Sequence, residues 1–124
     1  RVSAGGESLL LTGDIELEAE RELLATYGDV LRSDILVAPH HGSKTSSSEA
    51  FVAAVAPRWA LLPLGYRNRY GFPHSSVSER YRDKGIAMLS SSESGAISLT
   101  LGRLDEGAGE YRKTARRYWH QADL

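Results

Sequence analysis

Short apolar runs alternate with polar segments of helical period along this chain. Residues 8–11 form a brief apolar run closed by Thr12-Gly13-Asp14, the pattern of a buried strand and its terminal turn. Leu17, Leu23 and Leu24 then recur among Glu18, Glu20, Arg21 and Glu22, and Gly28 follows. That spacing predicts an amphipathic helix over 17–27 with a glycine stop. Its first turn is acidic (Asp14, Glu16, Glu18), which suits the positive end of a helix. Residues 35–38 are the next strand, and Pro39 forbids its continuation inside a sheet. Ser46-Ser47-Ser48-Glu49 offers a cap for a short helix over 50–55, closed by Pro57. A third strand over 59–64, a polar and aromatic loop over 65–75 and a helix over 76–84 follow, with Gly85 as the stop. Residues 86–89 and 96–101 read as strands joined by a Ser/Glu/Gly turn, hence a hairpin.

This alternation predicts an α/β fold: a mixed sheet flanked by helices, with parallel members and an antiparallel final hairpin. Such sheets bind ligands outside the carboxyl ends of their strands. Asp14, His40, His41 and the 65–75 loop all fall at carboxyl ends, so one shared site is expected there.

Composition narrows the class without choosing a function. The 124 residues amount to one domain with a single core. A net charge of −1 excludes a bulk electrostatic footprint for nucleic acid or membrane and leaves room only for a local basic patch. The absence of cysteine removes disulfides, thiolate zinc sites and cysteine nucleophiles, and leaves the redox compartment open. No apolar run approaches the about 18 residues of a spanning helix. Residue 1 is Arg, and no signal peptide is visible, so the chain reads as a segment of something longer. Asp105-Glu106-Gly107-Ala108-Gly109 reads as a linker. Beyond it Arg112, Lys113, Arg116 and Arg117 interleave with Tyr111, Tyr118 and Trp119. This basic, aromatic tail reads as a solvated terminus, with tracking of nucleic acid as the other reading.

The candidate chemistry lies at the strand ends. Asp14 is able to bridge divalent metals through its two oxygens, and it is equally placed to cap helix 17–27. His40 and His41 offer imidazole to zinc, manganese or iron. Neighbours leaving a strand point to opposite sides, so one of the two is expected as a ligand and the other as a substrate contact or packing residue. Gly42 permits a sharp turn, and Ser43, Lys44, Thr45 and Ser46 supply hydroxyls and a cation suited to phosphate oxygens, or simply a solvated loop and cap. Tyr66, Arg67, Asn68, Arg69 and Tyr70 could hold a phosphodiester backbone and stack a base, and His74 could donate a proton. A plain surface loop turning at Gly71-Phe72-Pro73 is the alternative. No Gly-rich phosphate loop, Gly-x-Ser-x-Gly elbow or Ser/His/Asp order stands out.

Three stretches in order carry a resemblance. Leu11-Thr12-Gly13-Asp14-Ile15-Glu16, Pro39-His40-His41-Gly42-Ser43-Lys44-Thr45-Ser46 and Asn68-Arg69-Tyr70-Gly71-Phe72-Pro73-His74 resemble the C-terminal metallo-β-lactamase-like domain of ComEC-type DNA internalisation (natural competence) proteins. The match runs from about residue 8 to residue 101. The resemblance implies that residues 1–104 are the second αβ half of a metallo-β-lactamase-like αββα sandwich, with 105–124 as linker and basic, aromatic tail. It implies a dinuclear site of divalent metal, manganese or zinc, of which Asp14 matches the bridging carboxylate and His41 the late histidine. His40 and His74 would then serve catalysis, and Ser43, Lys44, Asn68, Arg69 and Tyr70 the substrate.

The implied activity is metal-assisted phosphodiester hydrolysis, degrading the DNA strand that is not taken up. The implied parent is a bacterial inner-membrane protein with this domain on the extracytoplasmic side. The implied partners are DNA, the upstream half of the same domain, the transmembrane channel and, for the isolated half, a second copy of itself. Two departures stand beside this. The family's His-x-His/Asp-x-Asp-His cluster is absent from the chain, and Phe72 stands where the family usually has histidine. They keep two alternatives open: a non-catalytic DNA-binding or channel-docking module, and a phosphoesterase for a small substrate.

Overall fold

A five-stranded sheet runs through residues 1–115, which are the residues that the computed structural model describes. Arg116, Arg117, Tyr118 and Trp119 of the expected tail lie outside the described residues. The strands are β1 (Val2–Ala4), β2 (Glu7–Leu10), β3 (Ile35–Val37), β4 (Trp59–Leu62) and β5 (Ala87–Ser90), lying side by side in chain order. β1 is antiparallel to β2, and every later pair is parallel. The fold is therefore mixed α/β with a mostly parallel sheet flanked by helices, compatible with an α/β sandwich. No helix among the described residues is long and apolar enough to cross a membrane.

Three helices cross between the parallel strands: α1 (Leu17–Tyr27), α2 (Glu49–Val55) and α3 (Ser75–Asp83). Parallel crossovers are right-handed, so strands laid down in chain order put all three helices on one sheet face. The core agrees. Leu10, Leu36, Ala60 and Leu62 from the sheet form one cluster with Phe51, Val52 and Val55 of α2 and Val77 and Tyr81 of α3, and Leu23 and Leu24 of α1 pack against it. The alternate residues Leu9, Val37, Trp59, Leu61 and Leu89 face the other way and stay only half-buried.

Two features depart from expectation. β1 was not anticipated; Gly5 and Gly6, at φ +58° and +82°, form the two-residue turn that folds it onto β2. The final hairpin does not form. Ser90 accepts the Ser92 N–H at 3.2 Å and starts a helical turn, α4 (Ser91–Ser94), instead of a hairpin turn. The chain then leaves the main sheet, and β6 (Ile97–Ser98) pairs with β7 (Gly109–Glu110) in a separate two-stranded sheet. Residues 105–115, the start of the expected linker and tail, are tied to the body. Asp105 pairs with Arg58 at 2.8 Å, and the Ser94 hydroxyl donates to Glu110 at 2.5 Å.

Candidate functional site

The loops leaving β2, β3 and β4 meet beyond the carboxyl ends of the parallel strands, where the sequence places the shared site. The Thr12 hydroxyl donates to the Val37 carbonyl at 2.7 Å, and the His40 N–H donates to the Gly13 carbonyl at 2.9 Å. These two bonds join the turn after β2 to the turn after β3. The His74 N–H donates to the Gly42 carbonyl at 2.8 Å and brings in the end of the long loop. Together they frame a cleft of about 590 Å³ lined by Asp14, His40, His41, Asn68, Arg69, Tyr70, Phe72 and the Pro63-Leu64-Gly65 segment.

Both histidines reach this cleft because neither is extended. His40 and His41 sit at φ 48° and 56° in the 3-10 turn Pro39–Gly42, both in the left-handed region. Left-handed backbone at residues with a Cβ costs about 1–3 kcal/mol each and is held only where the surroundings over-determine it. The expectation of opposite orientations assumed strand geometry. On this turn the two rings are 6.4 Å apart and line the same cavity.

His41 is the better defined of the two. Its Nδ1 lies 2.7 Å from the Pro63 carbonyl oxygen. A carbonyl only accepts, so Nδ1 carries the proton, and in the neutral ring Nε2 presents a lone pair. That Nε2 stands 3.5 Å from Asp14 Oδ1. At this distance the two electron-pair donors face a common point that a metal ion could occupy. A backbone carbonyl that orients a ligand imidazole through its other nitrogen is a usual partner of metal-bound histidine. The donor set of Asp14 and His41 therefore fits one part of a metal site. Among the described residues, no three His, Cys, Asp or Glu side chains converge as a complete metal-holding group.

Asp14 does not cap α1. The N-cap residue is Glu16, which makes no side-chain cap, and the Leu17 N–H donates instead to the Thr45 carbonyl at 3.0 Å. Glu16 turns its carboxylate toward His40: Oε1 is 3.1 Å from the buried His40 Nδ1, which has no hydrogen bond of good geometry. The same oxygen accepts the Thr45 hydroxyl at 2.9 Å, which steadies it. Sequence reasoning missed Glu16 as a site residue and read Thr45 as a phosphate contact rather than as its partner. The available signal was a second carboxylate, Glu16, two residues after Asp14 and just before the helix.

The other expected site residues divide. Asn68 lines the cleft and clamps its loop, accepting the Phe72 N–H at 2.8 Å and donating to the Phe72 carbonyl at 2.9 Å. Arg69 and Tyr70 line it too, joined by a 2.9 Å bond from Arg69 to the Tyr70 hydroxyl. Phe72, flagged only as a departure, lies at the centre of the site, 6.0 Å from the His40 ring and 6.5 Å from the His41 ring. Ser43 is buried and bonded to the Thr45 hydroxyl at 3.0 Å, and neither it nor Lys44 lines the cleft. His74 does not line it either. It caps α3, its Nδ1 accepting the Ser76 N–H at 3.3 Å, so the helix starts at Ser75.

Fold and cleft together define an α/β domain with a mostly parallel sheet and a histidine–carboxylate pair at its carboxyl edge. No family model matches the chain. Curated proteins do. The chain is 43% identical over 121 residues to "Competence protein ComA" of Neisseria gonorrhoeae, covering 98% of this chain and 17% of that protein. It is 40% identical over 100 residues to "Recombination protein 2" of Haemophilus influenzae, covering 81% of this chain and 12% of the relative. It is 35% identical over 96 residues to "ComE operon protein 3" of Bacillus subtilis, covering 77% and 12%. These similarities support a competence-protein family for the chain. The chain spans only 12% to 17% of the length of these relatives.

Proposed function

We propose that this chain is part of a metal-dependent nuclease module of a competence protein, hydrolysing phosphodiester bonds in DNA during uptake. The observation that carries the reading is the His41–Asp14 pair, two facing electron-pair donors 3.5 Å apart on the wall of an open cleft. In this reading Asp14 and His41 hold part of a two-ion site, and an upstream half of the same domain supplies the remaining ligands. Bound divalent ions, manganese or zinc, would supply an activated water and neutralise charge on the phosphoryl oxygens.

The chain's own residues do the rest. Pro63 fixes the His41 tautomer through Nδ1, and Thr45 and Glu16 hold His40 at the cleft, where it is placed to protonate the leaving oxygen. Arg69 offers a bidentate cation to a phosphate. Asn68 keeps the loop that carries Arg69 and Tyr70 in one shape. Ser43 shapes the turn at the edge of this arrangement, exposed Lys44 stands beside it as a cation for phosphate, and His74 holds the start of α3.

The half-buried apolar face of the sheet supports an upstream half as partner, because a second layer there would complete a sandwich. Under the same reading the parent protein lies in the bacterial inner membrane, with this domain outside the cytoplasm beside the channel. One observation favours a second reading. Phe72 sets an apolar ring beside both imidazoles, about as far from each as they are from one another, which suits a module that grips DNA or docks on the channel without cutting.

Cleavage of single-stranded DNA by the full-length protein with manganese separates the two. Asp14→Ala and His41→Ala are each expected to abolish it with the fold intact by circular dichroism. A folded, metal-loaded protein that leaves DNA uncut would sink the nuclease reading and favour the docking module.

A further inference from the structure

Outward from His41 the wall of the cleft continues as aromatic rings. Phe72 lies nearly parallel to His41, with centroids 6.5 Å apart and planes 13° apart. Tyr70 lies nearly parallel to Phe72 at 5.6 Å and 22°. The column begins beside Asp14 and ends at a tyrosine that is 65% exposed. Burial does not explain Tyr70, since a ring used only for packing would be turned inward. The loop instead holds it at the mouth of the cleft. Asn68 clamps Phe72 by two hydrogen bonds, and Arg69 lies over the Tyr70 ring at 5.1 Å while bonding its hydroxyl.

We propose that Tyr70 is a stacking platform for an unpaired nucleobase, and that the Tyr70–Phe72–His41 column guides a phosphodiester farther along the same strand to Asp14 and His41. The proposal rests on the nuclease reading above and names the contact that would select its substrate. A base in duplex has both faces covered by its neighbours, whereas an unpaired base is free to stack on an exposed aromatic side chain. An exposed cation–π contact is weaker than base–aromatic stacking, so a base displaces the Arg69 guanidinium from the ring. The displaced guanidinium then meets the phosphate of the same strand, where its flat fork suits two oxygens. Stacking is indifferent to base identity, so the platform accepts any sequence while requiring that a base be present.

The test compares two strands of equal length, one with natural bases and one fully abasic, cleaved by the full-length protein in manganese. The wild type is expected to show a lower KM for the strand with bases. Tyr70→Ala is expected to raise that KM about tenfold, or about 1.4 kcal/mol, and to raise the KM of the abasic strand much less. Tyr70→Trp is expected to restore the wild-type KM, which a merely structural role would not predict. Equal KM for the two strands in the wild type would overturn the platform and leave the nuclease standing, as would an equal effect of Tyr70→Ala on both. Failure of the wild type to cut either strand would overturn the nuclease reading and the platform with it.

Discussion

Gly42 joins two loops of the cleft because it has no side chain. Its φ is +80°, and a Cβ there would stand 2.7 Å from Pro73 Cβ and 3.3 Å from a methyl of Leu62. The backbone of Pro73 cannot retreat without breaking the His74 N–H bond to the Gly42 carbonyl. Gly42→Ala is therefore expected to destabilise the domain by about 1–3 kcal/mol, the range for overpacking, seen as a lower midpoint of chemical unfolding. At this scale the sequence was legible where a residue type is rare for a reason. Asp14, His40 and His41 stand out at strand ends as one shared site, and the structure brings all three to one cleft. What could not be read were side-chain directions set by unusual backbone. Nothing in a His-His pair announces two left-handed residues, and nothing in Phe72 announces that its ring would sit among both imidazoles. Nothing in the sequence announces that the Nδ1 of His74 caps the helix behind it.

The helices lean on one buried carboxylate. Glu20 in α1 is fully buried, and its two oxygens accept the Ser47 N–H at 2.5 Å and the Ser48 N–H at 2.9 Å. Glu20→Ala would leave both N–H groups without their acceptor, at about 1–3 kcal/mol for each donor left buried. Glu20→Gln, which keeps one acceptor oxygen, is expected to cost less than Glu20→Ala in the same unfolding experiment.

Ser47 also meets Tyr81 of α3, hydroxyl to hydroxyl at 2.9 Å. Burial pushes the Tyr81 phenol up from 10.0 to about 12, against the opposing pull of the Ser47 bond. The folded state holds the phenol neutral while the unfolded chain ionises it from about pH 10. Stability from this group is thus complete below pH 10 and lost as pH rises toward 12. Tyr81→Phe is expected to lose stability at pH 8, through the missing hydrogen bond, and to lose less than the wild type on going from pH 8 to pH 11. An equal pH dependence for both proteins would refute this assignment. Helix α1 was legible from its leucine spacing, but Glu20 reads as one more polar residue on its outer face. Only the tertiary approach of the Ser47 loop turns it inward. The final hairpin failed for a local reason, since a Ser-rich segment caps a helical turn as readily as it turns a hairpin.

The alternation of apolar runs and helical segments was enough to read a mostly parallel sheet, because each strand is short, apolar and followed by a crossover. It could not say that the strands would lie in chain order, and that order decides what the molecule lacks. With α1, α2 and α3 on one face, the other face has, among the described residues, the chain's own later segments for cover. Register aligns Leu9, Ile35, Trp59 and Ala87 across it, and Val37, Leu61 and Leu89 in the next row. The Trp59 indole N–H is shielded there without a hydrogen-bond partner among the described residues. Ile35 is buried and Leu9, Val37, Trp59, Leu61 and Leu89 are half-buried, so the rows offer a partly open apolar face to a partner. The isolated chain is therefore expected to self-associate through this face, copy against copy, as a two-fold pair. Leu61→Glu puts a charge in the middle of the row and is expected to abolish association in sedimentation equilibrium while leaving the helical signal unchanged. Pairing through the sheet edges at β1 and β5 would survive that substitution, so the two routes are distinguishable. In the full-length protein the same Leu61→Glu is expected to lower thermal stability, because the upstream half would then occupy the face and the buried charge would lack a partner. A chain that stays strictly monomeric in solution scattering, together with a full-length Leu61→Glu protein of unchanged stability, would mean that nothing docks on this face.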